Sequence, residues 1–501
     1  MQAVELQFQG IGHRLQGEKD DEVTKEAAKI MRAMKILLVN CINLEEGLRA
    51  QEDSAEHLGI LYIASSLRKH FTENELGMSV TYGPVFGSTL NDIKPDVVGL
   101  SSVSQNYHIA QRYAKLCKER NIPVIVGGVH ISTLPHTLTE DMDVGIINEG
   151  EDAIVELMRI FMEDNALTRQ KLAGVKGIVY HDGGGLVMTP SRERIKDLDT
   201  LPIPARELYH HPRRGIFTSR GCPYDCVFCF SKPFWGAKAR FFSPEYVVKE
   251  MAHIVERFNV SQLSIYDDLF IAPRARFKKM VELIREAGLH EKITFNCNVR
   301  PNEITDEVAE LLKSMNITHV FLGIESGNQR VLKYLKKQAC SVEQNRNAIK
   351  ILKKHGIITY GGFIIGSPDE TREEIMDTYR FIRKSGIDCF SPLMLTPLPG
   401  TPVWDIAKKR GLVSDFMDWN ILREEFNEVE SRHIVMSEVL PREELSKLYR
   451  KFKRLQKRKY FYLALKHPFV GIREMIRLLK RQFHYIKLLY SRNVIKDSAN
   501  V

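Results

Sequence analysis

Residues 221–230 read Gly-Cys-Pro-Tyr-Asp-Cys-Val-Phe-Cys-Phe, so that Cys222, Cys226 and Cys229 follow the spacing C-x3-C-x2-C. Three thiolates on so short a loop can bind three corners of one iron–sulfur cluster and leave its fourth iron open. A closed structural zinc site needs a fourth ligand, and no further Cys or His lies nearby in the sequence. The triplet therefore predicts an open iron–sulfur cluster, with an incomplete zinc knuckle or a chance triplet as the alternatives.

The sequence that follows the triplet alternates short apolar strands with helical patterns. The predicted strands lie at 264–266, 293–296, 319–323, 360–365 and 390–395. Successive βα units of this kind form a barrel, and barrel enzymes place their chemistry at the carboxyl ends of the strands. We therefore predict a partial (β/α)6 TIM barrel over residues 213–420.

The sequence that precedes the triplet predicts a separate α/β domain over residues 34–175. Short β-branched runs at 36–40, 97–101, 124–127 and 144–147 are separated by helical patterns such as 58–69 and 109–120. This alternation is typical of a parallel, doubly wound, Rossmann-like sheet. Such sheets bind their ligands at the carboxyl ends of the strands.

Small and polar residues occupy the predicted strand ends of this first domain. Those that we select as candidate ligand contacts are Ser102, Gly127, Gly128, His130, Glu149 and Gly150. Small residues allow the backbone to approach a large planar cofactor such as a corrinoid. Glycines at βα junctions are also ordinary turn residues, so the physical pattern alone leaves both roles open.

Three further segments complete the predicted organisation. Residues 1–33 form an extension in which no apolar run is long enough for a signal peptide or a spanning helix. Residues 176–212 contain a predicted hairpin, with its turn at 182–185, and a linker stiffened by Pro202 and Pro204. Residues 421–501 form a basic helical C-terminal region.

Composition fits an intracellular enzyme of more than one domain. The 501 residues exceed the roughly 250–300 at which a single core stops growing, and 44% of them are hydrophobic. Of the 8 cysteines, those outside the triplet have no framework spacing. They indicate a reducing compartment rather than a disulfide scaffold, and we predict a cytoplasmic location.

The triplet and the barrel pattern together resemble the radical S-adenosylmethionine (SAM) superfamily, in which the open iron binds the amino and carboxylate groups of SAM. Phe228 matches the aromatic position of that family's C-x3-C-x-aromatic-C pattern, where the ring contacts the adenine. The resemblance also implies SAM contacts from strand-end motifs, which contain Asp267, Asp268, Glu325, Ser326 and Gly366. The residues themselves leave open whether Asp267 and Asp268 contact SAM or have structural roles such as helix caps.

The first domain resembles the cobalamin-binding domain that precedes many radical SAM domains. The resemblance rests on the order of the segments 57–64, 127–130 and 149–151. Cobalamin domains that supply a histidine to cobalt carry D-x-H-x-x-G after the first strand, whereas residues 40–47 read Asn-Cys-Ile-Asn-Leu-Glu-Glu-Gly. The resemblance therefore implies a cobalamin without a protein imidazole beneath the metal.

These resemblances imply a cobalamin-dependent radical SAM enzyme with a [4Fe–4S] cluster, SAM and cobalamin as cofactors. In such enzymes the reduced cluster cleaves SAM to a 5′-deoxyadenosyl radical, which abstracts a substrate hydrogen, and the carbon radical takes a methyl group from methylcobalamin. We expect methylation of an unactivated carbon in a small-molecule or lipid substrate, with an external flavodoxin- or ferredoxin-type electron donor. The alternatives are radical cyclisation, oxidation or rearrangement without methyl transfer, or a cobalamin or redox sensor.

The C-terminal region suggests a further property. Between 471 and 490 one helical face is apolar and is bordered by cations, which are Arg473, Arg477, Lys480, Arg481 and Lys487. This pattern suits peripheral contact with an anionic inner membrane face, but a helix packed on the barrel with solvated lysines is the favoured alternative. No nucleic-acid partner is expected, because the region contains no recognised nucleic-acid-binding module.

Overall fold

The computed structural model describes residues 33–42, 56–82, 86–209, 214–337, 340–422 and 433–467. Strands and helices alternate along the chain and form two mainly parallel sheets, one on each side of the proline-containing linker. Nearly all of the predicted extension 1–33 and the whole amphipathic segment 471–490 lie outside the described residues. The predicted α/β class is confirmed.

The N-terminal sheet contains seven strands. They are β1 (Met34–Asn40), β2 (Leu76–Tyr82), β3 (Val97–Ser101), β4 (Val124–Gly127), β5 (Val144–Ile146), β6 (Ile178–Asp182) and β7 (Gly185–Met188). Their order is β2-β1-β3-β4-β5-β6-β7, with β1 to β5 parallel and β6 and β7 antiparallel. The predicted hairpin is therefore the edge of this sheet, because β6 pairs directly with β5.

Helices cover both faces of the N-terminal sheet. They are α1 (Leu58–His70), α2 (Phe86–Ile93), α3 (Tyr107–Lys118), α4 (Val129–Thr133), α5 (Glu151–Asp164) and α6 (Arg169–Leu172). Successive residues of β1 face opposite sides: Ile36 and Leu38 pack into one core, and Leu37 and Val39 into the other. A strand buried on both faces gives a continuous apolar run, which explains why the sequence predicted β1 and the doubly wound arrangement.

The sequence pattern did not predict β2. It reads Leu-Gly-Met-Ser-Val-Thr-Tyr, and only its two terminal residues are buried. The strand lies at the edge of the sheet, where partial exposure removes the apolar run that marks the central strands.

The second domain is built on strands β8 to β15. They are β8 (Arg214–Ile216), β9 (Ser219–Arg220), β10 (Arg240–Phe241), β11 (Gln262–Ile265), β12 (Thr294–Val299), β13 (Ile317–Glu325), β14 (Ile358–Ile365) and β15 (Cys389–Met394). Six of them form a parallel sheet in the order β15-β14-β13-β12-β11-β8, while β9 and β10 form a separate antiparallel ribbon. Six parallel strands in sequential order form the predicted partial (β/α)6 barrel.

Ten helices of the described chain belong to this domain or follow it. They are α7 (Ser231–Trp235), α8 (Pro244–Phe258), α9 (Arg274–Glu286), α10 (Leu289–Lys292), α11 (Asp306–Ser314), α12 (Gln329–Lys336), α13 (Val342–Lys354), α14 (Arg372–Lys384), α15 (Pro402–Lys409) and α16 (Arg442–Lys466). Helix α16 packs along β15, where Gln456 Nε2 donates to the Phe390 carbonyl at 2.7 Å and Lys459 Nζ to the Ile387 carbonyl at 2.6 Å. No helix in the described ranges combines the length and apolar character needed to cross a bilayer.

A buried group of four charged residues joins the two domains through the linker. Arg206 Nε donates to Glu56 Oε2 at 3.1 Å, and its Nη2 donates to Glu250 Oε1 at 2.6 Å. Arg214 also pairs with Glu56. We call Glu56, Arg206, Arg214 and Glu250 the linker ion cluster. Removing one partner of a buried pair costs about 3–5 kcal/mol, so this cluster contributes to the stability of the contact between the linker and the two domains.

Candidate functional site

A cavity of about 300 Å³ opens at the carboxyl ends of the barrel strands. Its lining includes the three cysteines of the triplet and three of the predicted SAM contacts with carboxylate groups, and it also includes cationic and aromatic side chains that the sequence did not single out. The residues are Cys222, Tyr224, Cys226, Phe228, Cys229, Asp267, Asp268, Asn298, Val299, Arg300, Phe321, Leu322, Gly323, Glu325, Lys336 and Gly362. The fold therefore places chemistry-bearing groups from the triplet loop and several strand ends in one cavity.

The cysteine loop begins directly after β9. Cys222 is buried and Cys226 and Cys229 are partly buried, and burial raises the pKa of Cys222 to about 11 and that of Cys229 to about 12. Thiols in this environment ionise at neutral pH only when a bound cation compensates the thiolate charge. The donor set thus fits an iron–sulfur cluster.

Among the described residues, no group of three His, Cys, Asp or Glu side chains converges closely enough to hold one metal ion. In a [4Fe–4S] cluster each cysteine binds a different iron, so its ligands stand apart. The triplet supplies the three ligands of an open cluster, whereas a closed zinc site would need a fourth ligand.

The two neighbouring aspartates after β11 differ in their surroundings. The Asp267 carboxylate accepts hydrogen bonds from Thr218 N at 2.6 Å, Thr218 Oγ1 at 2.5 Å and Ser219 Oγ at 2.6 Å. The carboxylate therefore ties β11 to residues 218–219 at the start of β9, which gives Asp267 a structural role, and the residue also lines the cavity. Asp268 accepts one hydrogen bond, from the Ser231 hydroxyl, and burial raises its pKa.

Glu325 ends β13 in a left-handed conformation with φ 64°. The pairing of β13 with β14 shifts register between Gly323 and Glu325, which indicates a bulge. A Cβ on Gly323 would lie 2.8 Å from Glu325 Oε1, so the glycine makes room for the carboxylate. Non-glycine residues with positive φ are uncommon and cluster at functional sites, which supports a role for Glu325 in the cavity.

Two cations of the cavity were missed by the sequence analysis. Arg300 follows β12, lies 3.5 Å from the Tyr224 ring centroid and donates through Nη1 to Cys226 Sγ at 3.7 Å. Its Nε and Nη2 are buried without a hydrogen-bond partner in the described part of the chain. Lys336 is buried at the end of α12, donates to the Gly323 carbonyl at 2.5 Å and lies 3.9 Å from Glu325 Oε1. In the sequence, the only feature that could have indicated a cavity role for Arg300 is its position directly after a strand.

Ser326 and Gly366 do not line the cavity, in contrast to their predicted cofactor contacts. Ser326 is buried, accepts from Asn328 N at 3.1 Å and shares a hydrogen bond with Thr378 Oγ1 at 3.1 Å. Gly366 has φ 84°, and its N–H donates to Glu370 Oε2 at 2.7 Å. Ser326 and Gly366 therefore stabilise the loops that follow β13 and β14.

The carboxyl edge of the N-terminal sheet is small and uncharged where β3 and β4 end. A Cβ on Gly127 would meet no atom of the described chain within 4 Å, whereas a Cβ on Gly128, with φ 96°, would lie 2.7 Å from the Ser102 carbonyl oxygen. Ser102 is itself buried. Asn40 Nδ2, at the end of β1, is buried without a partner among the residues described. This open edge with an unsatisfied amide fits a large ligand that approaches the backbone.

His130 has a structural role instead of the predicted ligand contact. It is 0% exposed, and its Nδ1 and Nε2 are hydrogen-bonded to Ser104 Oγ at 3.1 Å and Thr137 Oγ1 at 3.0 Å. Its ring stacks on Tyr107 with 3.7 Å between centroids, and burial lowers its pKa to about 3. A neutral imidazole engaged at both nitrogens belongs to the core and is unavailable to cobalt.

Glu149 also differs from its predicted role. Its carboxylate accepts from Arg220 Nη1 at 2.7 Å and from Arg240 Nη1 at 2.8 Å. Burial alone would raise the pKa of Glu149, but the two guanidinium groups lower it. Gly150 caps the start of α5, and a Cβ there would lie 3.1 Å from Ile63 Cδ1. Glu149 therefore serves the junction between the domains, whereas Gly150 packs against α1 within the first domain.

The arrangement defines a radical SAM enzyme with a B12-binding domain, and comparison with known proteins agrees. A family model described as the B12 binding domain matches residues 52–158, and one described as the radical SAM superfamily matches residues 216–382. An uncharacterized methyltransferase of Pyrococcus horikoshii is 30% identical over 406 residues, which cover 78% of this chain and 86% of that protein. The chain therefore belongs to the cobalamin-dependent radical SAM methyltransferase family.

Two further similarities bear on the fold and on the reaction. The methyltransferase TsrM of Kitasatospora setae, solved with cobalamin and a [4Fe–4S] cluster, matches with a TM-score of 0.63 at 17% identity and covers 80% of each chain. It supports the same two-domain fold. An anaerobic magnesium-protoporphyrin IX monomethyl ester cyclase of Cereibacter sphaeroides is 27% identical over 350 residues, which cover 66% of this chain but only 56% of that relative.

Proposed function

We propose that this protein methylates an unactivated carbon of a small-molecule or lipid substrate in a cobalamin-dependent radical reaction. The observation that carries the proposal is the cavity that combines the cysteine triplet with Glu325, Arg300 and Lys336 at the strand ends of a barrel. A cobalamin-type domain precedes that barrel in the same chain. The cluster, SAM and cobalamin supply the radical and methyl chemistry, and the protein supplies placement and exclusion of water.

In this proposal Cys222, Cys226 and Cys229 hold the cluster, and the charged cavity residues hold SAM. Glu325 and Asp268 are acceptors for the N–H groups of the SAM amino group and for the ribose hydroxyls, because carboxylates accept the strongest hydrogen bonds from such donors. Arg300 has two buried N–H groups directed to no described partner, and with Lys336 it suits the SAM carboxylate. Phe228 presents the ring for the adenine.

The substrate side of the cavity is aromatic. Phe321 is 44% exposed although it lies on a central strand, and its ring centroid is 4.1 Å from that of Tyr360. Tyr360 Oη is fixed by Ser391 Oγ at 2.6 Å and by Tyr460 Oη at 2.9 Å. An exposed ring with a rigid backing favours a substrate with an apolar or planar face. We therefore propose a hydrophobic scaffold rather than a highly charged metabolite.

The cobalamin is proposed to bind at the open edge formed by Ser102, Gly127 and Gly128 without a nitrogen ligand below cobalt. The chain lacks the D-x-H-x-x-G pattern at 40–47, and His130 is engaged at both ring nitrogens. Electron paramagnetic resonance of the Co(II) form should show no nitrogen superhyperfine splitting. Splitting from one nitrogen would contradict this assignment.

Two partners belong to the proposal. One is an external one-electron donor of the flavodoxin or ferredoxin type, because the cluster must be reduced before each turnover. The other is an anionic membrane surface, supported by the cation-bordered apolar pattern at 471–490 and by Phe461, Tyr462 and Leu465, which are 55%, 60% and 64% exposed near the end of α16. Co-sedimentation with anionic liposomes, reversed by high salt, is the test of the membrane contact.

The reaction is tested with methyl-labelled SAM. Reconstituted protein, incubated anaerobically with candidate lipids, tetrapyrroles and peptides, should transfer the label to a carbon of one substrate and release 5′-deoxyadenosine. A second candidate, radical cyclisation without methyl transfer, is favoured by the similarity to the protoporphyrin ester cyclase. In that case 5′-deoxyadenosine forms and the product carries no methyl label.

A further inference from the structure

A second buried group of charges connects the B12-binding domain to the cysteine loop. Arg220 Nη1 donates to Glu149 Oε1 at 2.7 Å and its Nη2 to Glu151 Oε1 at 2.6 Å. Arg240, paired with Arg220 across the β9–β10 ribbon, donates to Glu149 Oε2 at 2.8 Å. We call Glu149, Glu151, Arg220 and Arg240 the loop ion cluster. Its two carboxylates match its two guanidinium groups in charge.

The two carboxylates come from the ligand edge of the first domain. Glu149 lies in the segment between β5 and α5, and Glu151 is the first residue of α5. Strand β5 pairs with β4, which ends at Gly127. The loop ion cluster therefore holds the same sheet edge that is proposed to receive cobalamin.

Arg220 lies two residues before Cys222, the first cysteine of the triplet. Gly221 between them has φ 94°, and a Cβ on it would lie 2.8 Å from the Lys238 carbonyl oxygen, so the path of the chain into Cys222 is tightly confined. The Arg220 side chain is also held between two rings, at 5.0 Å from the centroid of Tyr62 in α1 and at 5.2 Å from that of Trp235 in α7. These contacts join the residue that leads into the cysteine loop to the first domain through Glu149, Glu151 and Tyr62.

We propose that Arg220 is a positioning residue that sets the cysteine loop relative to the cobalamin edge through Glu149 and Glu151. A methyl group and a substrate radical react only when they are held in near-contact geometry, and a displacement of about 1 Å can cost about a hundredfold in rate. A bidentate guanidinium between two carboxylates supplies a fixed direction as well as attraction. The linker ion cluster joins the same domains, but through the linker and α8 rather than through the cysteine loop.

The inference rests on the proposed cofactor sites only where it is tested by spectroscopy of the loaded protein. Its test by hydrogen–deuterium exchange of the apo protein does not depend on those sites. In apo protein, hydrogen–deuterium exchange of the peptide 219–230 should become about tenfold faster in Glu151→Gln and in Glu149→Gln, because each substitution loosens the loop from the other domain. Glu250→Gln is the matched control, since it removes one buried carboxylate from the linker ion cluster. It should lower the melting temperature and leave exchange of 219–230 unchanged.

The loaded protein gives the second readout. In Glu151→Gln the iron and cobalamin contents should equal those of the wild type. The distribution of the magnetic dipolar coupling between Co(II) and the reduced cluster should become broader. More 5′-deoxyadenosine should form for each methyl group transferred. Arg220→Lys should show the same uncoupling, because an ammonium group cannot serve both carboxylates with the guanidinium geometry. If Glu149→Gln and Glu151→Gln change only the melting temperature, as the control does, the loop ion cluster is structural and the inference is wrong. Failure of methyl transfer in the wild type, with altered loop exchange in the variants, would instead reject the proposed reaction alone.

Discussion

The carboxyl ends of the two sheets present different chemistry. At the barrel, Glu325, Asp268, Arg300 and Lys336 surround a cavity with the cysteine triplet, so charges and thiols converge within about 300 Å³. At the N-terminal sheet, the ends of β3 and β4 offer small uncharged residues, and the nearby charges of Glu149 are already paired with arginines.

This difference indicates two modes of ligand binding. The barrel site suits a compact, charged ligand that is recognised through individual polar groups. The N-terminal edge suits a large ligand that is recognised by shape and by the backbone, as small residues at strand ends allow. Substitutions that remove one functional group should therefore be severe at the barrel, whereas the N-terminal edge should be sensitive to added volume.

The largest expected effect is at the triplet. Cys226→Ala should reduce 5′-deoxyadenosine formation to background, because two cysteines cannot hold the cluster with its open iron. Iron content and product are measured after anaerobic reconstitution. Cys117→Ala and Cys340→Ala are controls, since Cys117 is buried in the first domain and Cys340 lies outside the cavity lining. Full SAM cleavage by Cys226→Ala would refute the assignment.

The next effect tests the charged character of the barrel site. Glu325→Gln keeps the shape and the backbone conformation but removes the charge, and it should weaken SAM binding by roughly 10- to 100-fold, equivalent to one charged hydrogen bond. Equilibrium binding of SAM to the reconstituted protein is the measurement. Glu343→Gln, on a carboxylate that is 76% exposed, should bind SAM as the wild type does. Unchanged binding in Glu325→Gln would show that the barrel site is less dependent on charge than proposed.

The third test adds volume at the N-terminal edge. Gly127→Leu should lower cobalamin affinity by about tenfold or more, because the side chain would occupy space proposed for the ligand, while SAM cleavage is retained. Cobalamin retention is measured by absorbance after gel filtration. Gly185→Leu, on the exposed edge strand β7, also has open space around its Cβ among the described residues and serves as the control. Equal retention by both variants would place the cobalamin elsewhere.

The smallest effect concerns His130 and the pH dependence of stability. Its folded-state pKa of about 3 lies below the ordinary value of 6.5, so the unfolded chain binds the proton more readily and stability falls as pH drops below 6.5. Between pH 6.5 and 5 this residue should cost about 2 kcal/mol of unfolding free energy. His130→Gln should flatten the pH profile from denaturant unfolding, whereas His467→Gln, on an exposed histidine, should not. If the wild type, His130→Gln and His467→Gln gave parallel pH profiles of unfolding free energy, the assignment of His130 as a buried, neutral imidazole would be contradicted.

Several features were predictable because they depend on residue type and short spacing. The cysteine triplet identified the cavity loop. The apolar runs of β1, β3, β4 and β14 predicted these strands of the two sheets close to their observed bounds. The edge strand β2 and the short strand β8 were missed, because strands of this kind lack a continuous apolar run. Arg300 and Lys336 were missed because cations at helix and strand ends are common on any surface.

The amino-acid sequence by itself determined the fold class and the family and singled out the cysteine triplet that we propose as the cluster ligands, since these follow from local patterns that survive in any folded context. Only the tertiary structure gives the hydrogen-bond partners of Asp267, His130 and Glu149. A buried polar group must find a partner, and the partner comes from a distant segment: Thr218 for Asp267, Ser104 for His130 and Arg220 for Glu149. A motif shows that a polar residue stands at a strand end, but long-range packing determines whether that residue remains available to a ligand.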